Sequence, residues 1–363
     1  MEDFDAMGRA LALAWRGWGR VSPNPLVGAV VLHDGQIVGE GWHAEYGEAH
    51  AEVLALRDAG TRARGGTLFV TLEPCNHQGK QPPCTEAIVA AGIARVVAAS
   101  VDPNPEAAGG TARLNAGGIW VDSGLRDAEA RAQNAPFFHR WSGLRRPYVA
   151  LKLATTLDGR IADHTGRSRW ISGEEARDFV HWLRAGYDAI AVGGHTARTD
   201  DASLTVRGNV EPRRPPQRVV FDRRGDLPEA LALVRTAREI PTMLITEGHG
   251  LSSRLADLEQ AGVIVHRSDT LTEGLEALFA AGIGSLLVEG GGRLAGSLLA
   301  EGLVDRYYWI QSPVWLGDTG IPAISGLPGT SLIESERWNV VERRALGQDT
   351  LLVADREPCS PES

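Results

Sequence analysis

The first hundred residues alternate segments of helical periodicity with short apolar runs. Between residues 3 and 18, apolar side chains recur every three or four positions, which predicts an opening helix. A second helix is predicted at residues 50–59, and a third begins at Cys84. Short apolar runs predict four strands, at residues 27–32, 36–42, 67–72 and 94–100. Strands that alternate with helices indicate a layered α/β domain.

The second half of the chain repeats this pattern after a turn-rich stretch. Residues 102–145 are rich in glycine and proline up to a mixed helical run, and Gly143-Leu-Arg-Arg-Pro147 is typical of a linker. Six further strands are predicted, at residues 148–155, 189–192, 218–222, 242–246, 262–265 and 285–289. Helical runs between them indicate a mainly parallel sheet. We therefore predict two domains, residues 1–145 and 146–363, the second ordered to about residue 356 and followed by a polar tail.

Composition indicates a globular protein and argues against two classes of partner. A chain of 363 residues, 43% hydrophobic and 23% charged, can build two cores. Its net charge of −9 disfavours nucleic acid, which binds basic faces. The sequence has no apolar run long enough to span a membrane, and its acidic N-terminus lacks the features of a signal peptide. With only three cysteines, we expect a cytoplasmic protein without a disulfide framework or a membrane partner.

One stretch carries the residue types of a catalytic zinc site. His50, Cys75 and Cys84 offer one imidazole and two thiolates, which would leave a tetrahedral zinc ion one open position. Glu52 stands two residues after the histidine, where it can move protons beside the metal without binding it. The order matches the H-x-E…P-C-x-x-C signature of zinc deaminases, except that eight residues rather than two separate the cysteines.

Two other interpretations of this stretch stay open. The histidine and the cysteines could be unrelated core residues, although their order and the Glu73-Pro74-Cys75 context argue against this. They could also hold a structural metal in a binding protein without turnover. In that case His43 or His77 would close the fourth metal position.

The N-terminal half resembles a known family. The matching segments are residues 23–28, 41–43, 50–52, 71–75, 82–84 and 102–105. They resemble the bifunctional riboflavin-biosynthesis deaminase–reductases, whose own variant is the wide cysteine loop. The resemblance implies a cytidine-deaminase-like three-layer domain followed by a dihydrofolate-reductase-like α/β domain. It places Asn24 and His43 in a pyrimidine pocket and His77 and Lys80 near a ribose phosphate, although Gln81 stands where the family has threonine.

A glycine-rich segment, Glu289-Gly-Gly-Gly-Arg-Leu-Ala-Gly296, follows a predicted strand and opens a helix predicted at residues 294–300. Glycine amides at a helix N-terminus form a phosphate site, but the segment could equally be a tight structural turn. We do not expect a Rossmann site. The segment lies late in its domain, and no acidic residue stands about twenty residues further on.

The second half resembles the reductase domain of the same family, which binds NADPH. The resemblance implies dinucleotide contacts from Ala154, Trp170, Thr196 and Asp200, and pyrophosphate contacts from Gly291, Gly292, Arg293, Leu294, Ala295, Gly296 and Ser297. It implies substrate contacts from Ser168, Arg184, Leu204, Arg207 and Glu289, with Lys152 near the reacting carbon. Arg223 follows a predicted strand where a 2′-phosphate could lie, which favours NADPH over NADH.

These features support the hypothesis of two reactions on one chain. Zinc and Glu52 would deaminate 2,5-diamino-6-(5-phosphoribosylamino)pyrimidin-4(3H)-one. NADPH would then reduce the ribosyl group of 5-amino-6-(5-phosphoribosylamino)uracil to ribityl, with the substrate phosphate on Arg184 or Arg207. The alternative is a related deaminase–reductase that acts on a different heterocycle. A nucleic-acid deaminase is disfavoured by the acidic charge and by the reductase half, and the family suggests a homo-oligomer.

Overall fold

A computed structural model describes residues 1–208, 210–247 and 253–356, so the predicted polar tail lies outside the described residues. The chain divides into two units, Met1–Leu144 and Arg145–Ser363. Within the described ranges, no helix is both long enough and apolar enough to cross a membrane.

The N-terminal unit is built on a five-stranded sheet. Its strands are β1 Gly28–His33, β2 Gln36–Trp42, β3 Thr67–Leu72, β4 Arg95–Ser100 and β5 Trp120–Ser123. Its helices are α1 Asp3–Ala14, α2 Ala51–Ala59, α3 Cys84–Ala91, α4 Gly110–Ala116, α5 Asp127–Gln133 and α6 Ala135–Arg140. The strand order is β2-β1-β3-β4-β5. The pairs of β1 with β2 and β3 are antiparallel, and β3, β4 and β5 run parallel.

Helices cover both faces of this sheet. On one face, Met7 and Leu13 of α1 pack with Val30 and Phe69 of the sheet. On the other face, buried residues of α2, α3 and α4 pack with β1, β3 and β4, including Ala55, Ile88 and Leu114. The predicted three-layer arrangement is therefore confirmed. Two elements were not predicted, α4 and β5, and both lie inside the turn-rich stretch of residues 102–145.

The C-terminal unit is built on a nine-stranded sheet, and two further short strands pair separately. The strands of the whole unit are β6 Tyr148–Thr156, β7 Arg160–Ala162, β8 Ala189–Gly193, β9 Gln217–Phe221, β10 Thr242–Thr246, β11 Ile264–Arg267, β12 Ser285–Val288, β13 Arg306–Ser312, β14 Ile321–Pro322, β15 Trp338–Leu346 and β16 Asp349–Arg356. Its helices are α7 Glu174–Ala185, α8 Gly194–Asp200, α9 Ala232–Arg235, α10 Ser253–Ala261, α11 Leu271–Ala280 and α12 Gly292–Ala300. The sheet order is β11-β10-β9-β8-β12-β6-β13-β16-β15, and β7 pairs with β14 separately.

The sheet is parallel from β11 to β13 and antiparallel at the edge formed by β16 and β15. The mainly parallel sheet was predicted correctly, whereas β13, β15 and β16 were missed. Strand β11 begins at Ile264 and not at residue 262, because Gly262, with φ +101°, still belongs to the turn after α10.

The chain changes direction across this sheet between β8 and β12. From β8 it proceeds outward through β9 and β10 to β11, and β12 then returns to lie between β8 and β6. In open parallel sheets, such a switch point leaves a crevice beyond the carboxyl ends of the strands, where ligands bind.

Candidate active sites

His50, Cys75 and Cys84 converge at the ends of three elements of the N-terminal unit. Cys75 lies shortly after β3, His50 immediately precedes α2, and Cys84 is the first residue of α3. His50 Nδ1 lies 3.2 Å from Cys84 Sγ and 3.6 Å from Cys75 Sγ. A tetrahedral zinc ion with bonds of about 2.1 Å to nitrogen and about 2.3 Å to sulfur separates such atoms by roughly 3.5 Å. The three side chains therefore have the spacing of ligands to one zinc ion.

Two glycines allow close backbone contacts around this cluster. A Cβ atom at Gly41 of β2 would lie 2.4 Å from the carbonyl oxygen of Ala51, so its absence lets α2 pack tightly on the sheet. A Cβ atom at Gly110 would lie 1.8 Å from the carbonyl oxygen of Pro74, next to Cys75. Any larger residue at these positions would displace backbone that leads directly to a metal ligand.

Glu52 lies in the first turn of α2 and is only 4% exposed. Burial raises the pKa of its carboxyl; nearby His50 opposes this increase and Cys75 adds to it. A hydrogen bond from the Cys84 thiol outweighs burial and, together with His50, lowers the pKa of Cys75 to about 4. The same bond to Cys75 raises the pKa of Cys84. A buried carboxyl with a raised pKa beside metal-ligand atoms is suited to accept and release a proton.

Asn24 and His43 form a polar pair beside the candidate metal ligands. The Asn24 Nδ2 atom donates to His43 Nε2 over 3.1 Å, and His43 Nδ1 donates to the carbonyl oxygen of Ala49 over 3.3 Å. Burial lowers the pKa of His43 to about 4, so its imidazole is neutral at neutral pH. The His43 and His50 rings meet edge to face, with centroids 5.3 Å apart. The pair therefore presents uncharged hydrogen-bonding groups next to the cluster.

The loop between the two cysteines is held against the segment that precedes α2. Gln81 Nε2 donates to the carbonyl oxygen of Gly47 over 2.8 Å, so the residue that departs from the family pattern has a contact of its own. Lys80 Nζ lies 4.1 Å from the centroid of the Tyr46 ring. His77 Nδ1 is buried and has no hydrogen-bond partner among the described residues.

Two buried carboxyls near Cys75 were not predicted as site residues. Asp102 is 9% exposed, and burial raises its pKa to about 6, with smaller increases from Glu73 and Cys75. Its Oδ1 atom accepts a hydrogen bond from the Asn104 backbone amide over 2.9 Å. Glu73 accepts one from the Thr111 amide, also over 2.9 Å. The only sequence signal for Asp102 is its place in the 102–105 segment, which entered through the family resemblance alone.

In the C-terminal unit, Lys152, Arg184 and Glu289 form a buried charged cluster. Arg184 Nε and Nη2 donate to the two Glu289 carboxylate oxygens over 2.5 and 2.8 Å, and Nη1 donates to the Thr205 carbonyl oxygen over 2.8 Å. Lys152 Nζ lies 3.8 Å from Glu289 Oε2. Burial opposes ionisation of Glu289, but Arg184 and Lys152 outweigh it and hold its pKa at about 2. Burial lowers the pKa of Lys152, and the attraction of Glu289 only partly offsets this.

The glycine-rich turn lies at the switch-point crevice. The Gly291 amide donates to Thr196 Oγ1 over 3.2 Å, which joins the ends of β12 and β8. Gly290 adopts φ +100°, a conformation that favours glycine. The rest of the predicted pyrophosphate segment forms the first turns of α12, namely Gly292, Arg293, Leu294, Ala295, Gly296 and Ser297. Ala154 lies two residues after Lys152 on β6 and so shares its face.

Trp170 and Asp200 are brought together by Arg169. Arg169 Nη2 donates to the Asp200 carbonyl oxygen over 2.9 Å, and its guanidinium carbon lies 5.9 Å from the centroid of the Trp170 ring. The Trp170 side chain is 71% exposed, and Ser168 is half-buried two residues before it. An exposed indole at this place is available to a ligand and does not fill the core.

Arg184 and Arg207 are linked through one short segment. Arg207 donates to Ser203 Oγ over 2.8 Å, and its backbone amide donates to His181 Nδ1 over 3.2 Å. Leu204 is buried with φ +49°, and the neighbouring Thr205 carbonyl binds Arg184. Arg184 is already paired with a carboxylate, whereas these contacts of Arg207 are with uncharged groups.

Arg223 follows β9 and lies at the surface of the C-terminal unit. Its side chain is 87% exposed, and its Nε atom lies 3.7 Å from Glu247 Oε1. A weak, exposed pair of this kind leaves the guanidinium accessible to an anion.

Comparison with known proteins identifies the family. Residues 147–352 match the family described as RibD C-terminal domain, and residues 1–100 match the cytidine and deoxycytidylate deaminase zinc-binding region. The chain is 40% identical over 355 residues to riboflavin biosynthesis protein RibD of Aquifex aeolicus (strain VF5), with 98% of each chain covered. The chain belongs to the RibD family. It is also 39% identical to RibD of Escherichia coli (strain K12), over 97% of this chain and 99% of that one.

Solved RibD structures share the whole fold. RibD of Acinetobacter baumannii, form 1, has a TM-score of 0.82 at 37% identity, covering 98% of this chain and 99% of its own. A Thermotoga maritima protein described as a diaminohydroxyphosphoribosylaminopyrimidine deaminase/5-amino-6-(5-phosphoribosylamino)uracil reductase has a TM-score of 0.83 at 35% identity, covering 97% and 98%. Membership of the RibD family confirms the predicted fold class and the prediction of a bifunctional deaminase and reductase of riboflavin biosynthesis. None of these matches favours a different heterocycle.

Proposed function

We propose that this chain catalyses two steps of riboflavin biosynthesis, with the predicted site residues in the roles described below. The N-terminal unit would remove the 2-amino group of 2,5-diamino-6-(5-phosphoribosylamino)pyrimidin-4(3H)-one by hydrolysis. The C-terminal unit would reduce the ribosyl group of the resulting 5-amino-6-(5-phosphoribosylamino)uracil to ribityl. The observation on which the proposal chiefly rests is the convergence of His50, Cys75 and Cys84, with Glu52 buried two residues from the histidine.

The three converging donors would hold zinc, and they fit it in chemistry as well as in spacing. One imidazole and two thiolates are borderline-soft ligands that suit this ion, and the set leaves a position open for solvent. Zinc, when bound, would lower the pKa of a water molecule, and this makes hydrolysis possible near neutral pH.

Glu52 would act as the proton carrier of the deamination. Its burial keeps its pKa above the ordinary value of 4.5, so the carboxylate readily accepts a proton from the attacking water. The carboxylic acid can then donate this proton to the amino group that leaves as ammonia.

Asn24 and His43 would bind the pyrimidine, and His77 and Lys80 would contact the ribose phosphate. Neutral His43 fixes the orientation of the Asn24 amide, whose remaining donor and acceptor suit the edge of a heterocycle. His77 has a buried ring nitrogen to offer, and Lys80 supplies a positive charge in a loop of an acidic protein. This arrangement supports the assignment of a charged pyrimidine nucleotide as the substrate of the first reaction.

NADPH would bind along the switch-point crevice, through Ala154, Trp170, Thr196, Asp200, Arg223 and the segment 291–297. The N-terminus of α12, whose first amides have no partners within the helix, suits a pyrophosphate group. NADPH, when bound, supplies the hydride for the ribosyl carbon. Lys152 would stabilise negative charge that develops on the sugar oxygen, and Glu289 would orient Lys152 and a sugar hydroxyl. Ser168 and Leu204 would complete the substrate pocket.

Arg207 is better placed than Arg184 to bind the substrate phosphate. The guanidinium of Arg184 already donates to both Glu289 oxygens and to the Thr205 carbonyl. Arg207 is exposed and donates to hydroxyl groups, which leave its charge uncompensated. We therefore assign Arg184 to orienting Glu289 within the substrate site and Arg207 to the phosphate itself.

The decisive experiment supplies the purified, zinc-loaded chain with the diaminopyrimidine phosphate and follows ammonia release with and without NADPH. We expect ammonia in both cases and oxidation of NADPH only after deamination. Absence of ammonia release would contradict the first reaction, and absence of NADPH oxidation after ammonia has been released would contradict the second. The remaining expectations are a homo-oligomer and a cytoplasmic location, and light scattering of the purified chain tests the former.

A further inference from the structure

The switch-point crevice would place the two halves of a bound dinucleotide beside different strands of the sheet. Lys152 lies on β6, and Glu289 follows β12, so the reacting groups are on one side of the crevice. The glycine-rich turn at Gly291 lies between them and β8. If NADPH binds as proposed above, its nicotinamide lies toward β6 and its adenosine half extends toward β8 and β9. The inference that follows rests on this proposed reductase function.

β9 is the strand on the adenosine side, and the acid that follows it, Asp222, is buried. In dinucleotide sites that use NADH, a carboxylate near a strand end accepts a hydrogen bond from the ribose and repels a 2′-phosphate. Asp222 stands directly after β9 but is only 7% exposed. A Cβ atom at Gly194 would lie 2.3 Å from its Oδ1 atom, so the carboxylate is packed against the start of α8. Asp222 is therefore turned away from solvent and poorly placed to meet a ribose.

Arg198 of α8 holds this acid. Its Nη2 atom lies 2.6 Å from Asp222 Oδ2 and also pairs with Asp226. The side chains of Arg198 and Asp222 are 22% and 8% exposed, so this ion pair is shielded from water far better than a surface pair. One arginine thus partly compensates two carboxylates that lie next to the region assigned to the adenosine half.

The surroundings of this ion pair carry an excess of positive charge, and we call them the β9 corner. The corner consists of Arg198, Arg223, Arg224, Arg254, Asp222, Asp226 and Glu247. Four guanidiniums and three carboxylates leave one net positive charge, in a chain whose net charge is −9. Arg223 and Arg224 are 87% and 72% exposed and pair only at 3.7 and 3.8 Å. These two side chains are therefore available to an incoming anion.

We infer that Arg198 determines the cofactor preference of the reductase without touching the cofactor. By pairing with both Asp222 and Asp226, Arg198 partly offsets their charge and weakens their attraction for the exposed arginines. Arg223 and Arg224, which have only long ion pairs of their own, then bind the 2′-phosphate of a phosphorylated adenine nucleotide. Without Arg198, the two acids would repel that phosphate and compete for the exposed arginines. Arg198 is thus a positioning residue whose effect is specific to ligands that carry the additional phosphate.

Binding measurements on the full chain separate this role from a purely structural one. Isothermal titration calorimetry would compare NADP⁺ with NAD⁺ and, without the nicotinamide, adenosine 2′,5′-bisphosphate with AMP. In Arg198→Met, we expect affinity for the two 2′-phosphorylated ligands to fall about tenfold, and that for NAD⁺ and AMP to change less than about twofold. Arg198→Lys should retain most of the preference. Arg343→Met on β15, at the far edge of the sheet, is the matched control and should change nothing.

A second variant distinguishes a specific loss of 2′-phosphate binding from misfolding. Asp222→Asn removes one negative charge and keeps Arg198, so its affinity for 2′-phosphorylated ligands should stay equal to the wild-type value or increase. Combining it with Arg198→Met should restore part of the lost affinity. Equal weakening of phosphorylated and unphosphorylated ligands in Arg198→Met, or a lower 2′-phosphate affinity in Asp222→Asn, overturns the inference while the reductase proposal stands. A wild-type chain that binds none of the four ligands overturns both.

Discussion

Arg184 and Glu289 form a bidentate ion pair in the C-terminal unit, with 2.5 Å from Nε to Oε1 and 2.8 Å from Nη2 to Oε2. Glu289 is almost completely buried, so this pair and Lys152 decide its charge. Because a planar fork meets both carboxylate oxygens, the geometry of Glu289 is fixed before any substrate arrives. The charged cluster of the C-terminal unit, which we assign to the reductase site, is therefore preorganised.

The first prediction concerns the acid stability of this pair. The pKa of Glu289 is about 2 in the folded chain against an ordinary value of 4.5. Its stabilising contribution is therefore fully present above about pH 4.5 and is lost as the pH falls toward 2. At pH 7, Glu289→Gln should lower the free energy of unfolding by on the order of 3 kcal/mol. Urea unfolding of both chains at several pH values should show this difference shrinking below pH 4.5, and a constant difference down to pH 2 would contradict it.

The second prediction is that Lys152 titrates below the ordinary lysine value of 10.5, because burial outweighs the attraction of Glu289. The sequence has only one other lysine, Lys80, so carbon-13 lysine labelling gives a spectrum that is easily assigned. Lys152→Met identifies the signal by its loss. Between the folded and unfolded pKa values, the unfolded chain binds more protons, so this residue makes stability increase with pH in that window. A Lys152 signal that titrates at or above 10.5 would refute the prediction.

The third prediction is that replacing Lys152 raises the stability of the chain and lowers its reductase activity. Lys152→Met removes a buried ammonium group, while Arg184 still compensates Glu289. We expect the free energy of unfolding to rise by about 1 kcal/mol and NADPH oxidation to fall more than about a hundredfold. Ammonia release should be unchanged, which provides the internal control. Loss of both activities would instead indicate damage to the whole chain.

The fourth prediction separates metal binding from proton transfer. Glu52→Gln should reduce the rate of deamination by about 10² to 10⁴-fold, because the amide cannot carry a proton. Zinc content, measured by atomic absorption, should stay at the wild-type level, since His50, Cys75 and Cys84 are intact. Reduction of substrate that has already been deaminated should continue. If Glu52→Gln loses zinc, the carboxylate contributes to metal binding and our assignment of its role is wrong.

The fifth prediction tests the backbone contact beside Cys75. Gly110→Ala places a Cβ atom 1.8 Å from the Pro74 carbonyl oxygen. We expect a loss of about 1–3 kcal/mol in stability and weaker zinc binding, because Pro74 must move together with Cys75. Gly329→Ala is the matched control, since a Cβ atom there meets no heavy atom within 4 Å. Equal zinc affinity in the two variants would show that the contact does not position the metal ligand.

Local patterns predicted the elements that hold the candidate metal ligands. Strand β3 and helix α3 begin at the predicted residues. Because these elements end or begin next to Cys75 and Cys84, the two cysteines lie close to His50, as the sequence order indicated. Asp102 and Gly110 were not predicted as parts of that site. Their importance depends on contacts with distant segments, and such contacts leave no periodic signal along the chain.

The antiparallel edge of the C-terminal sheet was missed for a related reason. Strand β15 lies at the edge of the sheet, and its mostly exposed residues include Glu342, Arg343 and Arg344. Charged residues are a common feature of edge strands and conceal the alternation that predicts a strand. Its irregular pairing with β16 between Val340 and Glu342 weakens the pattern further. In the site, likewise, the pairing of Arg184 with Glu289 joins residues 105 positions apart and could not be read from spacing.

The position of β12 constrains how the C-terminal unit is made on the ribosome. This strand occupies the middle of the sheet, between β8 and β6, yet it spans Ser285–Val288, near the end of the chain. Until those residues emerge, β6 and β8 have no common neighbour, and their facing edges stay unpaired. A nascent chain stalled before residue 285 would therefore expose one edge of β8 and both edges of β6, since β13 also follows β12 in the chain, and a chaperone that binds open strand edges would act in this interval of synthesis.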